Sequence, residues 1–134
     1  MYIVLGLRIA ELVLGNRELD VMRVLWDLGS GTVADVRERL PVDLAYTTVL
    51  TILRNLEEKS WVSHVPEGRA HRYTPRVGRR AARRSAIARV VDSFFHGAPG
   101  ELMAHMVEDR TLTPSDLRRL RAMIDSPGRA TRKR

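Results

Sequence analysis

The chain contains no cysteine. That removes disulfides, thiolate nucleophiles, zinc ribbons and thiolate metal sensing together, and it fits a reducing cytoplasm. The sequence shows no Ser–His–Asp order, no P-loop and no dinucleotide fingerprint, so nothing marks it as an enzyme or a cofactor binder. Its four histidines, His64, His71, His96 and His105, include no pair at the i, i+4 spacing of a helical zinc site, and no metal is expected. No apolar run is long enough to cross a bilayer. The most apolar stretch, residues 1–15, is interrupted by Arg8 and Glu11 and lacks a basic segment ahead of it, which argues against a secretory signal. It reads either as an extra N-terminal helix or as translation from a start upstream of the natural one. The second is favoured because the remaining pattern needs nothing from it.

What is present is basic and globular. The 134 residues suffice for one compact domain, or for a small domain with an assembly segment. A hydrophobic content of 44% with 29% charged residues separates the chain from disordered sequences. The formal charge of +7 and pI of about 10.9 favour an anionic partner, nucleic acid or a membrane surface.

The most informative segment is residues 44–59. Val49, Ile52, Leu53 and Leu56 recur at the spacing of one buried helical face. The opposite face carries Thr47, Leu50, Thr51, Arg54 and Glu58. Hydroxyls can bond phosphates and base edges, and a Leu or Thr methyl can lie against a thymine methyl, so the segment reads as a DNA recognition helix. Ahead of it, Gly15 or Asn16 caps a helix to about Leu28, with Leu19, Met22, Leu25 and Trp26 inward. Gly29-Ser30-Gly31 ends that helix. Thr32 caps a second, short one through Leu40, with Asp35 as capping-box partner and Val33, Val36 and Leu40 inward.

After Ser60 the period becomes two. Residues 61–65 and 70–74 alternate, with Pro66-Glu67-Gly68-Arg69 between them, as in a β-hairpin with a glycine-containing tip. Three helices followed by a hairpin form a winged helix-turn-helix, here residues 16–76. Residues 77–125 read as a second, helical unit. Ile87, Val90, Val91, Phe94 and Phe95 share one face, Leu102, Met103, Met106 and Val107 another, and Leu117, Leu120 and Ile124 line a last helix that begins at Thr113-Pro114. Three such short helices cannot bury both phenylalanines among themselves. Ile87, Val90, Val91, Phe94, Phe95, Leu102, Met106 and Leu120 are therefore expected to form a homodimer surface, the alternative being that these helices fold back on the winged domain. Residues 126–134 read as a basic disordered tail.

Between Arg69 and Arg89 lie eight arginines and no acidic residue. A solvated helix usually mixes signs, so this stretch suits a phosphate backbone. Six to eight engaged arginines would give a log–log salt slope of roughly −5 to −7.

Leu14-Gly15, Val21-Met22, Leu25-Trp26, the Leu44-Ala45-Tyr46-Thr47-Thr48-Val49 run, Gly68-Arg69-Ala70, and Val91-Asp92 with Phe94-Phe95 together resemble the BlaI/MecI penicillinase-repressor family, from about Leu14 to Asp125. The resemblance implies a cytoplasmic, mostly α, winged-helix repressor that binds a dyad-symmetric double-stranded DNA operator as a homodimer. It places Thr47, Thr48, Leu50, Thr51, Arg54 and Asn55 on the recognition helix and Arg69, Ala70 and Arg72 on the wing. It also implies relief of repression by cleavage in the dimerisation unit under a membrane metalloprotease sensor. At the family's usual Asn–Phe cleavage point this chain has His105-Met106. It has Asn55 where arginine is common and Ser60 where glycine usually follows the recognition helix, so Ser60 should bear a left-handed cap. The competing reading is a winged helix that binds proteins without reading DNA sequence.

Overall fold

Residues 14–126 are described by the computed structural model, and their order is α1 (Asn16–Leu28), β1 (Gly31–Thr32), α2 (Val33–Arg39), α3 (Tyr46–Glu58), β2 (Val62–Glu67), β3 (Ala70–Pro75), α4 (Arg79–Phe94), α5 (Pro99–Glu108) and α6 (Pro114–Asp125). The expected N-terminal extension, save Leu14 and Gly15, and the expected basic tail, save Ser126, lie outside the described residues. The chain divides into two units at Arg89 and Val90, inside α4, rather than after Arg76. The reason is local: Trp26 donates its ring N–H to the Val77 carbonyl at 2.9 Å, and Ala82 packs against the first unit's core.

In the first unit, Gly15 caps α1, and the Glu18 carboxylate closes the turn by accepting from the Gly15 N–H at 3.0 Å. The same Oε1 accepts from Lys59 Nζ at 2.8 Å, tying the start of α1 to the end of α3. Met22 and Leu25 are buried as their spacing predicts, but so are Val21 and Val24, while Leu19 and Trp26 are only half-buried. α1 is covered on a wider arc than a surface helix because both α3 and the sheet pack on it.

Thr32 and Asp35 form a reciprocal capping box at the start of α2. The Asp35 N–H donates to Thr32 Oγ1 at 3.2 Å, and the Thr32 N–H donates to Asp35 Oδ2 at 3.0 Å. Val33 and Val36 go into the core. The turn to α3 is held by Arg37, whose Nε donates to the Leu44 carbonyl at 2.7 Å. On α3, Val49, Ile52, Leu53 and Leu56 are all buried. The helix ends in a Schellman motif: the Trp61 N–H reaches the Leu56 carbonyl at 2.9 Å and the Ser60 N–H the Glu57 carbonyl at 3.0 Å. Ser60 takes the left-handed position, φ 66°.

The strands form one antiparallel sheet in the order β1-β3-β2. β1 had no signature in the sequence, since two residues cannot display a period; it pairs Gly31 with Tyr73 and Thr32 with Arg72. The hairpin is longer and its tip tighter than the alternation suggested. Pro66 and Glu67 stay paired, with His71 and Ala70, so that Gly68 and Arg69 alone make the turn. Gly68 has φ 60°, the glycine-first pattern of a type II′ hairpin loop. Pro66 is tolerated because β2 is an edge strand. Tyr73, Trp61 and Val62 bring the sheet into the core against Met22, Leu25, Leu53 and Leu56.

In the second unit Val91 is the one buried residue of the expected dimer set, with Phe95, Leu102, Met106 and Leu120 half-buried. Val90, Phe94, Met103, Val107, Leu117, Met123 and Ile124 remain exposed. Phe95 lies against the His105 ring, centroids 5.9 Å apart. α6 begins as its sequence indicates, with Thr113 as cap and Pro114 at the first helical position; the structure adds a capping box closed by Asp116.

Candidate nucleic-acid interface

The inner face of α3 is consumed by the core, and this leaves Thr47, Thr48, Thr51, Arg54 and Asn55 exposed and Leu50 half-buried on the other side. The helix starts at Tyr46 with a capless Ala45 ahead of it and no acidic residue in its first turn, so its N-terminal end carries uncompensated N–H groups and the positive end of the helix dipole. Thr51 is partly committed: its hydroxyl donates to the Thr47 carbonyl at 2.9 Å. What it can still offer is a pair of acceptor lone pairs and a methyl, whereas the Thr48 hydroxyl keeps both donor and acceptor capacity.

The wing stands beside this helix. A cleft of about 160 Å³ runs between them, with Tyr46, Leu50 and Arg54 on one wall and Arg69, Ala70 and His71 on the other. Residues about twenty positions apart in sequence thus meet at one groove, four of them (Leu50, Arg54, Arg69 and Ala70) expected site residues. Below the cleft His71 stacks on His64 with ring centroids 4.3 Å apart, and the Glu57 carboxylate receives His64 Nδ1 at 2.8 Å. The His64 pairing has no local sequence signature, because Glu57 lies on another element. Tyr73 packs beneath the same rings; burial, and then the Glu57 charge, push its phenol above the ordinary value while Arg54 opposes them.

The arginine-rich stretch is less uniform in space than in sequence. Arg72 is paired with Glu67 at 2.7 Å, and Arg79 is paired with Asp27 at 2.7 Å while lying over the Trp26 ring, 5.5 Å from its centroid. Arg69, Arg76, Arg80, Arg83, Arg84 and Arg89 have no acidic partner among the described residues. The missing signal was tertiary: Asp27 is 52 residues from Arg79.

Comparison with known proteins gives the family. The penicillinase repressor family model matches residues 14–126, all of the described chain. The chain belongs to the penicillinase repressor family. It is 37% identical over 121 residues to the transcriptional regulator BlaI of Mycobacterium tuberculosis, covering 84% of this chain and 86% of that one. It is also 26% identical over 109 residues to an uncharacterized 16.5 kDa protein of Latilactobacillus sakei, covering 80% of this chain and 75% of that one. Among solved structures it is similar to the DNA binding domain of the repressor BlaI, at 31% identity and TM-score 0.46, covering 49% of this chain and 83% of that one. As a member of the penicillinase repressor family, the protein is a DNA-binding transcriptional repressor and not an enzyme. No described helix is long and apolar enough to cross a membrane.

Proposed function

We propose that this repressor binds a dyad-symmetric operator as a homodimer, each α3 entering a major groove and each wing meeting the flanking backbone. Thr47, Thr48, Leu50 and Thr51 read base edges. Arg54, Asn55, Arg69 and Ala70 set the register on sugar and phosphate. The observation that carries this reading is the cleft in which Leu50 and Arg54 of α3 face Arg69 and Ala70 of the wing. Six arginines without acidic partners give an expected salt slope of roughly −5 per protomer if all engage. Self-association is supported by the apolar side chains left uncovered on the second unit, Phe94 at 72% and Ile124 at 74% exposure among them.

Relief of repression by cleavage at His105-Met106, under a membrane metalloprotease sensor, belongs to the same reading. That bond lies inside α5, so cleavage requires the helix to open first.

The deciding experiment is footprinting on the DNA upstream of the protein's own gene, followed by Thr48→Ala. The variant should lose operator affinity by roughly tenfold, the loss of one base-edge contact, with little change on random duplex. Equal losses on both DNAs would show that α3 does not read sequence and would leave the protein-binding winged helix as the better account.

A further inference from the structure

By charge alone Arg72 counts as a phosphate ligand, one of the eight arginines in the acid-free run. Its guanidinium is already occupied. Nε donates to Glu67 Oε1 at 2.7 Å and Nη2 donates to Glu67 Oε2 at 2.9 Å, the two parallel bonds of a fork on a carboxylate. Nη1 donates to Ser30 Oγ at 3.1 Å, and Asp35 Oδ2 lies 3.7 Å from Nη2. One side chain therefore joins the wing tip, the loop before β1 and the first turn of α2. The Arg72 hydrogen bonds hold the Glu67 carboxyl below the usual carboxylate range, and Glu67 in turn raises the guanidinium. Glu67 stands next to Gly68-Arg69, the turn that presents Arg69. A bare carboxylate there would oppose the approach of a phosphate.

We propose that Arg72 is a positioning residue of the wing: it neutralises Glu67 so that Arg69 can meet the phosphate backbone, and Glu67 in return withholds Arg72 from the DNA. The inference rests on the reading that the wing approaches the backbone.

Its test is the salt dependence of binding by the full chain to a duplex carrying its own upstream DNA, for Arg69→Gln, Glu67→Gln, Arg72→Gln and the double variant Glu67→Gln/Arg72→Gln. Arg69→Gln should lower the slope by about 0.9 per protomer. Arg72→Gln, which exposes the Glu67 charge, should weaken binding about tenfold at low salt. The double variant, neutral at both positions, should return to the parental affinity and slope. Glu67→Gln alone removes the two-bond fork and leaves Arg72 only the Ser30 hydroxyl and the more distant Asp35, so binding should tighten and the slope steepen by up to about 0.9.

A double variant that stays weak, with a slope lowered by about 0.9, would make Arg72 a phosphate ligand and overturn the proposal. So would a Glu67→Gln slope equal to the parent's, an arm that keeps Arg72 and does not depend on Arg72→Gln folding. If Arg69→Gln leaves the slope unchanged, the wing's contact with DNA is itself refuted, an outcome separable from failure of the Arg72 pairing.

Discussion

Ser60 occupies a position that its own side chain disfavours, and replacing it should make the protein more stable. At φ 66° it sits at the left-handed position of the Schellman motif that closes α3, with Trp61 bonded back to Leu56. An L-residue with a Cβ pays about 1–2 kcal/mol there, which glycine does not. Glycine gains freedom in the unfolded chain worth about 0.5–1 kcal/mol, so the net gain from Ser60→Gly is about 0.5–1 kcal/mol. For a unit of this size that is roughly 2–8 °C in melting temperature. The opposite perturbation is Ser60→Val, since a β-branched residue at positive φ is a genuine outlier and should lower stability by about 1–2 kcal/mol. Thermal unfolding followed by far-ultraviolet circular dichroism measures both. DNA affinity should not change with glycine, because the motif that sets the path from α3 into β2 is kept. A glycine variant melting at or below the parent, with the valine variant unchanged, would refute the left-handed cap and the strain assigned to it.

Phe94→Ser should weaken self-association in sedimentation equilibrium while leaving helix content intact, because the ring is 72% exposed in the single chain; an unaltered dimer would exclude Phe94 from the interface. Leu53→Ala removes a side chain with no exposed surface and should cost about 2–5 kcal/mol in urea unfolding, whereas a loss under about 1 kcal/mol would place Leu53 outside the packed core. The Asp35 and Asp116 carboxyls are held below the usual aspartate value of 3.8, first by the backbone N–H of Thr32 and of Thr113 respectively and then by those hydroxyls. Their charged forms favour the fold, so that contribution is complete above the usual value and disappears as pH falls through the lowered ones. Thr113→Ala should cost about 1 kcal/mol through the lost cap and move the Asp116 titration, followed by carboxyl NMR, toward the ordinary value. An Asp116 that already titrates there in the parent would contradict the capping box.

Much of this architecture could be read from local pattern. The buried stripe of α3, the Thr32–Asp35 box, the Thr113-Pro114 helix start, and the alternation of the hairpin each depend on residues no more than a few positions apart, where geometry follows from helix or strand repeat alone. β1 escaped because a two-residue strand exists only through its partner β3. The wing tip was misplaced because Pro66 looks like a turn residue until β2 is known to be an edge strand. Val21 and Val24 were missed because a one-sided helix was assumed where two neighbours cover α1.

The charged residues divide along the same line. Local sequence determined that the first unit would present a hydroxyl-rich helix face beside a basic wing, and that the second would carry more apolar surface than it can hide. Only the tertiary structure decided which arginines remain available. An ion pair depends on separation in space, and Glu67, Asp27 and Asp35 reach Arg72 and Arg79 from other strands, loops and helices, up to 52 residues away. The acid-free run is acid-free along the chain, and folding supplies the acids that it lacks.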